Sequence, residues 1–289
     1  MTPLTAATFR RGTSRAIGYG PGMSDTLRVD RDGDIATVSL TTPALAPRFF
    51  TDCERVFTEL GRDRALRAVV LRSETKAFSY GLDLSAAFRE WAGQLAGGGL
   101  APARTELLTL IRDLQRSLTV ISRCPAPVIA AIHGWCIGGG LDLAAACDLR
   151  LATADARFSL RETKVAMVAD LGSLQRLPRL IGQGLVRELA FTGKDITAER
   201  AAAIGLVNEV FADRAALDAG AAALAREIAS NPPLVVRGIK QVLDYADGKS
   251  IDDALEYVAT WNSAFLASED LAEAAAAFAQ KRPPQFKGR

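Results

Sequence analysis

Hydrophobic and polar residues follow each other along the first half of the chain in a way that predicts strands separated by helices. Leu27–Val29 and Ile35–Leu40 flank the turn residues Asp30–Gly33, a pattern typical of a β-hairpin. Leu66–Leu71 and Pro127–Ile132 are continuous apolar runs, as buried strands show. Hydrophobic residues recur at helical spacing between these runs, at Phe50, Cys53, Val56, Phe57 and Leu60, and at Leu107, Leu108, Ile111, Leu114, Leu118 and Ile121.

The pattern changes after the second apolar run. A short helix is predicted from about Gly139 to Cys147, and Leu149 and Leu151 then alternate with polar residues as in a strand. After about residue 173 the pattern predicts only helices, broken at Gly193, Gly205, 231–233 and Gly248. Strands that alternate with helices predict an α/β fold followed by a helical C-terminal region.

Composition excludes several classes of protein. The chain has 289 residues, of which 49% are hydrophobic, and a net charge of +2, so it can form a large core and has no general attraction for nucleic acid or anionic membranes. No apolar stretch approaches the ~20 residues that span a bilayer. His133 is the only histidine and the four cysteines form no metal-binding motif. We therefore expect no metal, no nucleic-acid partner and no membrane partner, in a reducing compartment.

Residues 1–24 differ in composition from the rest of the chain. They contain Arg10, Arg11 and Arg15 and no acidic residue. We predict a disordered N-terminal extension, and the predominance of arginine over lysine and the many alanines favour a cytoplasmic bacterial protein. A transit peptide, which is also rich in arginine and poor in acids, would instead place the protein in an organellar matrix.

A glycine turn is the most informative part of the sequence. The strand ending at Ile132 leads through His133 to Gly138, Gly139 and Gly140, and then to Asp142 at the start of a helix. Unpaired N–H groups at such a turn can hold a phosphate or a developing oxyanion. The spacing does not match the G-x-G-x-x-G of dinucleotide-binding proteins, and Asp142 would repel a pyrophosphate. Acid–base chemistry on a carbonyl compound fits better, although close packing of helix on strand would also explain the glycines.

Four ordered segments resemble the crotonase (enoyl-CoA hydratase/isomerase) superfamily. They are 77–84, 124–134, 136–148 and 175–182, and the C-terminal segment 281–289 is similar as well. The resemblance covers about residues 25–289. It implies a crotonase-like spiral of ββα units over 25–195 and a helical trimerisation region over 196–289, assembled as a homotrimer or homohexamer.

The resemblance also implies a substrate and a set of contacts. The substrate would be an acyl-CoA thioester, with coenzyme A as part of the substrate and no separate cofactor. Backbone N–H groups of Tyr80 and Gly139 would hold the thioester oxygen. The matching substrate-binding positions are Phe78, Ser79, Gly81, Leu82, Asp83, Leu84, Gly138, Phe286 and Lys287.

Three acidic residues select the reaction that the resemblance implies. Hydratases of the family place glutamates at the positions of Asp142 and Glu162, whereas Asp142, Glu162 and Asp170 together resemble the Δ3,5-Δ2,4-dienoyl-CoA isomerases. We therefore expect isomerisation with these three residues as the catalytic acids. There are two alternatives: a hydratase that uses only Asp142 and Glu162, and an acyl-CoA-binding scaffold without activity. In structural terms, Asp170 could instead cap the following helix and Glu162 could be a solvated loop residue.

Overall fold

A six-stranded sheet forms the centre of the protein. The computed structural model describes residues 25–95 and 101–289. The strand order is β1-β2-β4-β6-β8-β11, in which only β1 is antiparallel to its neighbour. These strands are β1 Leu27–Asp32, β2 Ile35–Leu40, β4 Ala68–Ser73, β6 Val128–Ile132, β8 Leu149–Thr153 and β11 Glu209–Phe211.

Two smaller sheets lie beyond the carboxyl ends of the central strands. The strands β3 (Ala44–Leu45) and β5 (Gly81–Leu82) form a parallel pair. The strands β7 (Trp135–Ile137), β9 (Arg157–Ser159) and β10 (Ile196–Thr197) form a three-stranded sheet in the order β10-β9-β7. Because β5 and β7 follow β4 and β6 in the chain, both small sheets carry the loops in which the sequence predicts a site.

The helices of the first part connect strands, whereas the last four helices follow one another without a strand between them. Those of the first part are α1 Pro47–Arg62, α2 Leu84–Glu90, α3 Ala92–Leu95, α4 Ala101–Ser122, α5 Gly139–Ala145, α6 Ser173–Leu180, α7 Gln183–Thr192 and α8 Ala198–Ala203. The last four are α9 Arg214–Ala229, α10 Pro233–Ala246, α11 Ile251–Phe265 and α12 Glu269–Gln280. No helix of the described ranges combines the length and the hydrophobicity that crossing a bilayer requires.

The central sheet is buried on both faces, which explains its continuous apolar strands. On one face, Val69 and Leu71 belong to the main core together with side chains of α1 and α4. On the other face, Val70 and Ile129 pack with Leu217 and other residues of α9. The sheet is therefore a rigid platform for the loops at its carboxyl end.

The structure confirms the predicted α/β class with a helical C-terminal region and corrects one detail. Ile196–Thr197 and Glu209–Phe211 are strands, although the sequence predicts only helices after residue 173. Runs of two and three residues are too short to show alternation, so these strands depend on partners elsewhere in the chain. The prediction for residues 1–24 lies outside the described residues.

Candidate active site

Gly81 allows the loop after β4 to approach the loop after β6. Its φ is +83°, and a Cβ at this position would lie 2.7 Å from the carbonyl oxygen of Ile137 and 3.2 Å from the nitrogen of Gly139. A side chain would therefore collide with the neighbouring backbone and would also strain its own. The glycine holds two backbone segments in contact at the start of α5.

The glycines before Asp142 make a second close approach. Gly138 has a φ of +52°, and a Cβ there would lie 3.0 Å from Oε1 of Glu162. Gly140 packs on Ser79, where a Cβ would come within 2.7 Å of the serine Cβ. The N–H of Gly139, the first residue of α5, has no acceptor within its own helix. The turn thus presents a backbone donor beside a carboxyl group.

The structure contradicts the prediction of Tyr80 as an oxyanion donor. The N–H of Tyr80 donates to the carbonyl oxygen of Pro43 at 2.7 Å, because the chain at Tyr80 runs alongside the segment that leads into β3. That N–H is therefore committed within the protein. Gly139 keeps the predicted role as a candidate donor.

The backbone nitrogen of Leu82 lies near Gly139, so Leu82 is the second candidate for an oxyanion donor. Asp83 donates its N–H to Leu45 of β3 at 3.0 Å. Leu82 follows Gly81, whose φ of +83° interrupts the extended conformation between Tyr80 and Asp83. Its nitrogen lies 3.6 Å from the position of a Cβ built on Gly139. The sequence indicates Leu82 only as a substrate-binding residue, and the hydrogen bond of Tyr80 to Pro43 is the observation that distinguishes the two.

Asp142 is held inside the protein by the start of α6. Its side chain is 1% exposed, and Oδ1 accepts hydrogen bonds from the N–H and the hydroxyl of Ser173, both at 2.5 Å. Burial raises the pKa of Asp142 to about 6, against the opposing effect of the two Ser173 donors and of Arg176. The carboxyl group is therefore poised to change its charge near neutral pH.

Glu162 lies at the start of a 3₁₀ turn, Glu162–Val165, with its carboxyl group directed at the glycine turn. Among the described residues, its buried Oε2 has no hydrogen-bond partner. Burial, together with the smaller effects of the charges of Asp142 and Asp170, raises the pKa of Glu162 to about 7. Because its carboxyl group is buried, Glu162 is not the solvated loop acid of the alternative interpretation. A buried carboxyl group without a partner is unfavourable for folding.

Asp170 lies in the loop before α6 and is exposed. Gln115 of α4 fixes the main chain there by donating to the Asp170 carbonyl oxygen at 2.7 Å. Partial burial of the carboxyl group raises its pKa, and its charge in turn raises the pKa of Asp142 and Glu162. Asp170 does not cap α6, because the residue at the cap position is Gly172 and the first N–H of the helix goes to Asp142.

Asp142 and Asp170 thus both act electrostatically on Glu162, which lies against the glycine turn. A cavity of about 210 Å³ adjoins Glu162. Its other lining residues are mostly apolar: Leu160, Thr163, Met167, Val168, Ala169, Leu174, Ala190 and Phe191. An apolar chain placed in this cavity would pass beside a protonatable group.

Most of the other predicted substrate-binding residues shape the loops of the site. The N–H groups of Phe78 and Ser79 donate to the carbonyl oxygens of His133 and Trp135, at 2.7 and 2.8 Å. Asp83 caps α2 by accepting from the N–H of Ala86, and α2 begins at Leu84. These contacts fix the backbone of 78–84 against the loop after β6.

Phe286 and Lys287 lie elsewhere in a single chain. The carbonyl oxygen of Phe286 accepts from Arg67 at 2.7 Å, and the N–H of Lys287 donates to the buried Asp270 at 2.6 Å. Arg67 precedes β4, whereas Gly139 lies beyond the carboxyl ends of the strands. The six residues of β4 separate these two ends of the sheet by roughly 20 Å. Within one chain these contacts hold Phe286 and Lys287 away from the glycine turn, and their substrate-binding role stays a prediction.

Metal binding has no support in the described ranges. Among residues 25–95 and 101–289, no group of three or more His, Cys, Asp or Glu side chains is arranged to hold a metal ion. The four cysteines are buried and free.

Comparison with known proteins places the chain in a family. A family model described as enoyl-CoA hydratase/isomerase matches residues 30–289. The Δ3,5-Δ2,4-dienoyl-CoA isomerase of Dictyostelium discoideum mitochondria is 44% identical over 251 residues, covering 83% of this chain and 81% of that protein. A carnitinyl-CoA dehydratase of Salmonella arizonae is 33% identical, covering 92% of this chain and all of that protein.

Solved structures agree with the sequence matches. The crystal structure of an enoyl-CoA hydratase from Bacillus anthracis superposes with a TM-score of 0.82 at 29% identity, covering 91% of this chain and all of that one. These findings confirm the crotonase-like fold and the resemblance to dienoyl-CoA isomerases that the motifs predict. The chain therefore belongs to the enoyl-CoA hydratase/isomerase family, the crotonase superfamily, and is an enzyme of that family.

Proposed function

We propose that the protein isomerises a 3,5-dienoyl-CoA to the 2,4-dienoyl-CoA. The observation that carries the proposal is that Glu162 lies against the glycine turn that presents the Gly139 N–H, while the charges of Asp142 and Asp170 both raise its pKa. The reaction moves two conjugated double bonds by one carbon. One proton leaves C2 and one proton is added at C6, so no oxidant, reductant or water is consumed.

The backbone donors act on the thioester oxygen. Removal of the C2 proton places negative charge on that oxygen, and preorganised N–H donors stabilise it by about 3 kcal/mol each. We assign these donors to Leu82 and Gly139, whose backbones meet at Gly81. Coenzyme A is part of the substrate in this scheme, and the carboxyl groups need no additional cofactor.

The carboxyl groups divide the proton transfers between them. C2 and C6 are several bonds apart, so one group is poorly placed to serve both carbons. Glu162 and Asp170 form the proton-transfer pair, which must hold one proton at the start of the reaction. Asp142 acts on the pair through its charge, since its own Oδ1 is occupied by Ser173.

Names of relatives support both this proposal and one alternative. Relatives at 38–44% identity are named Δ3,5-Δ2,4-dienoyl-CoA isomerases. A relative at 33% identity is named a carnitinyl-CoA dehydratase, which favours hydration or dehydration as the second candidate. In that case Asp142 and Glu162 would activate a water molecule and Asp170 would have no chemical role.

A paired substrate assay tests the proposal. Purified enzyme is incubated separately with a 3,5-dienoyl-CoA and a 2-enoyl-CoA, and the products are followed by absorbance and mass spectrometry. We expect the absorbance of a 2,4-dienoyl thioester to appear from the first substrate without a change of mass. Hydration of the second substrate without conversion of the first would contradict the proposal, and tight binding of both without turnover would favour a scaffold.

We also propose that the chain assembles as a homotrimer or homohexamer. The C-terminal helices expose large apolar side chains, including Ile239 and Leu243 of α10 and Ile251 and Leu255 of α11, and such a face is typical of a subunit contact. Light scattering of the purified protein tests this.

Relatives are named mitochondrial or peroxisomal, and for this chain we propose a bacterial cytoplasm, or an organellar matrix if residues 1–24 act as a transit peptide.

A further inference from the structure

Ser173 makes an unusual pair of contacts with Asp142. Ser173 is fully buried and is the first residue of α6, whereas Asp142 lies on α5, 31 residues earlier in the chain. The N–H and the hydroxyl of Ser173 both donate to Oδ1 of Asp142, at 2.5 Å. Two donors on one carboxylate oxygen stabilise the charged form of that carboxyl group.

The other groups that face Asp142 come from several elements. Arg176, one turn further along α6, favours its charge, whereas Asp170 in the preceding loop disfavours it. Glu162 of the 3₁₀ turn is coupled to Asp142 by repulsion. Cys136 of β7 is a protonated thiol, because burial raises its pKa well above the ordinary value. Ser173 is thus the group that contacts the carboxylate directly, and Arg176 acts from farther away.

We propose that Ser173 is a positioning residue that keeps Asp142 ionised and thereby determines which carboxyl group of the site retains the proton. This inference rests on the proposed isomerase function. Without the Ser173 hydroxyl, Asp142 would ionise only at higher pH. Glu162 would then face a neutral neighbour and would release its proton at lower pH. The pH values at which Asp142 and Glu162 ionise would move closer together or exchange their order. The proton-transfer pair would then lose its defined starting state.

The hydroxyl group can be tested separately from the backbone contact. Ser173→Ala removes the hydroxyl and keeps the N–H donor, and Ser173→Thr keeps both donors. Ser117→Ala is a matched control, since Ser117 is also buried but donates its hydroxyl to Leu114 within its own helix. Carboxyl carbons of Asp and Glu labelled with ¹³C report the ionisation of each group by NMR, and this readout does not need turnover.

We expect Ser173→Ala to raise the apparent pKa of Asp142 by about one pH unit and to lower that of Glu162. Ser173→Thr and Ser117→Ala should titrate like the parent enzyme. In an Asp142→Asn background, Ser173→Ala should no longer change the titration of Glu162. Unchanged titrations of Asp142 and Glu162 in Ser173→Ala would overturn the proposal, even if the variant melts at a lower temperature.

Activity supplies the second readout. If the parent enzyme isomerises a 3,5-dienoyl-CoA, Ser173→Ala should shift the alkaline limb of its kcat/KM profile to lower pH, and Ser173→Thr should restore it. An unshifted limb would contradict the role of Ser173. If the parent enzyme shows no isomerisation, the proposed function fails, whereas the NMR titration still decides whether Ser173 controls the charge of Asp142.

Discussion

Oε1 of Glu162 lies 3.0 Å from the point that a Cβ on Gly138 would occupy. The carboxyl group therefore rests against a stretch of bare backbone, immediately before the N–H of Gly139. Only glycine leaves this space open, and the φ of +52° at Gly138 independently favours glycine. The position of the proposed acid and the position of the proposed oxyanion donor thus depend on one residue.

The variant Gly138→Ala tests this dependence. The added methyl group should displace the Glu162 carboxyl group and strain the turn, so we expect kcat to fall at least about 10-fold and stability to fall by about 1–2 kcal/mol. Gly184→Ala is the control, because a Cβ at Gly184 of α7 would meet nothing within 4 Å. It should be neutral or slightly stabilising in thermal unfolding and should retain full activity. Full activity of Gly138→Ala would contradict the close approach.

Removal of the Glu162 charge should change stability in a pH-dependent way. The pKa of Glu162 is about 7 in the folded protein and ordinarily 4.5, so folding disfavours its ionisation. That cost is absent below about pH 4.5, grows as the pH rises toward 7 and is complete above it. We expect the stability of Glu162→Gln relative to the parent to rise by about 3 kcal/mol between pH 4.5 and pH 8, measured by denaturant unfolding.

The exposed Glu227, a residue of α9, provides a control for that titration. Glu227→Gln should follow the parent enzyme across the same pH range. Glu162→Gln should also lose activity by about 100-fold or more, as expected for a group that transfers a proton. A constant stability difference between Glu162→Gln and the parent at all pH values would contradict the burial of a neutral acid.

Isomerisation should be confined to a window of pH. The pair Glu162 and Asp170 must hold one proton between its two members, so the rate falls when that proton is lost and also when a second proton is gained. Because the pKa of Glu162 is about 7, the single proton of the pair is lost near that pH, and we expect kcat/KM to decline as the pH rises through about 7. The acid limb should lie above the ordinary range of an aspartic acid, since the pKa of Asp170 is raised. A rate independent of pH between 4 and 9 would contradict the scheme.

A variant of Asp170 tests whether its carboxyl group has a chemical role or only a structural one. Asp170→Asn should reduce isomerisation by about 100-fold or more, while the melting temperature changes by no more than about 1 °C, because Asp170 does not cap α6. Asp252→Asn, at an exposed position in the first turn of α11, should leave isomerisation unchanged. A variant at position 170 that is less stable but fully active would show that the carboxyl group takes no part in proton transfer.

The sequence predicts those features that depend on local pattern. The hairpin, the buried parallel strands and the glycine turn follow from periodicity and from turn residues, and Ile35–Leu40 is a strand with the predicted bounds. The strands Ile196–Thr197 and Glu209–Phe211 could not be predicted in this way. They are two and three residues long, and their partners β9 and β8 lie far away in the chain.

Within the site, the sequence identifies segments more reliably than it identifies atoms. The motif around Gly81 indicates a backbone donor, but the choice between Tyr80 and Leu82 depends on the hydrogen bond of Tyr80 to Pro43, which no local pattern specifies. The contact of Ser173 with Asp142 likewise joins residues 31 positions apart. Phe286 and Lys287 were predicted from the resemblance alone, and the fold places their backbone beside Arg67 and Asp270.

We propose that the enzyme moves two conjugated double bonds by exchanging protons between the substrate and its own carboxyl groups. The most direct measurement is the conversion of a 3,5-dienoyl-CoA in D₂O, with the product analysed by NMR and mass spectrometry. We predict a 2,4-dienoyl-CoA that carries deuterium at C6, because carboxyl protons exchange with solvent before they are delivered. A product that carries the added mass of water, or unreacted substrate, would contradict the account.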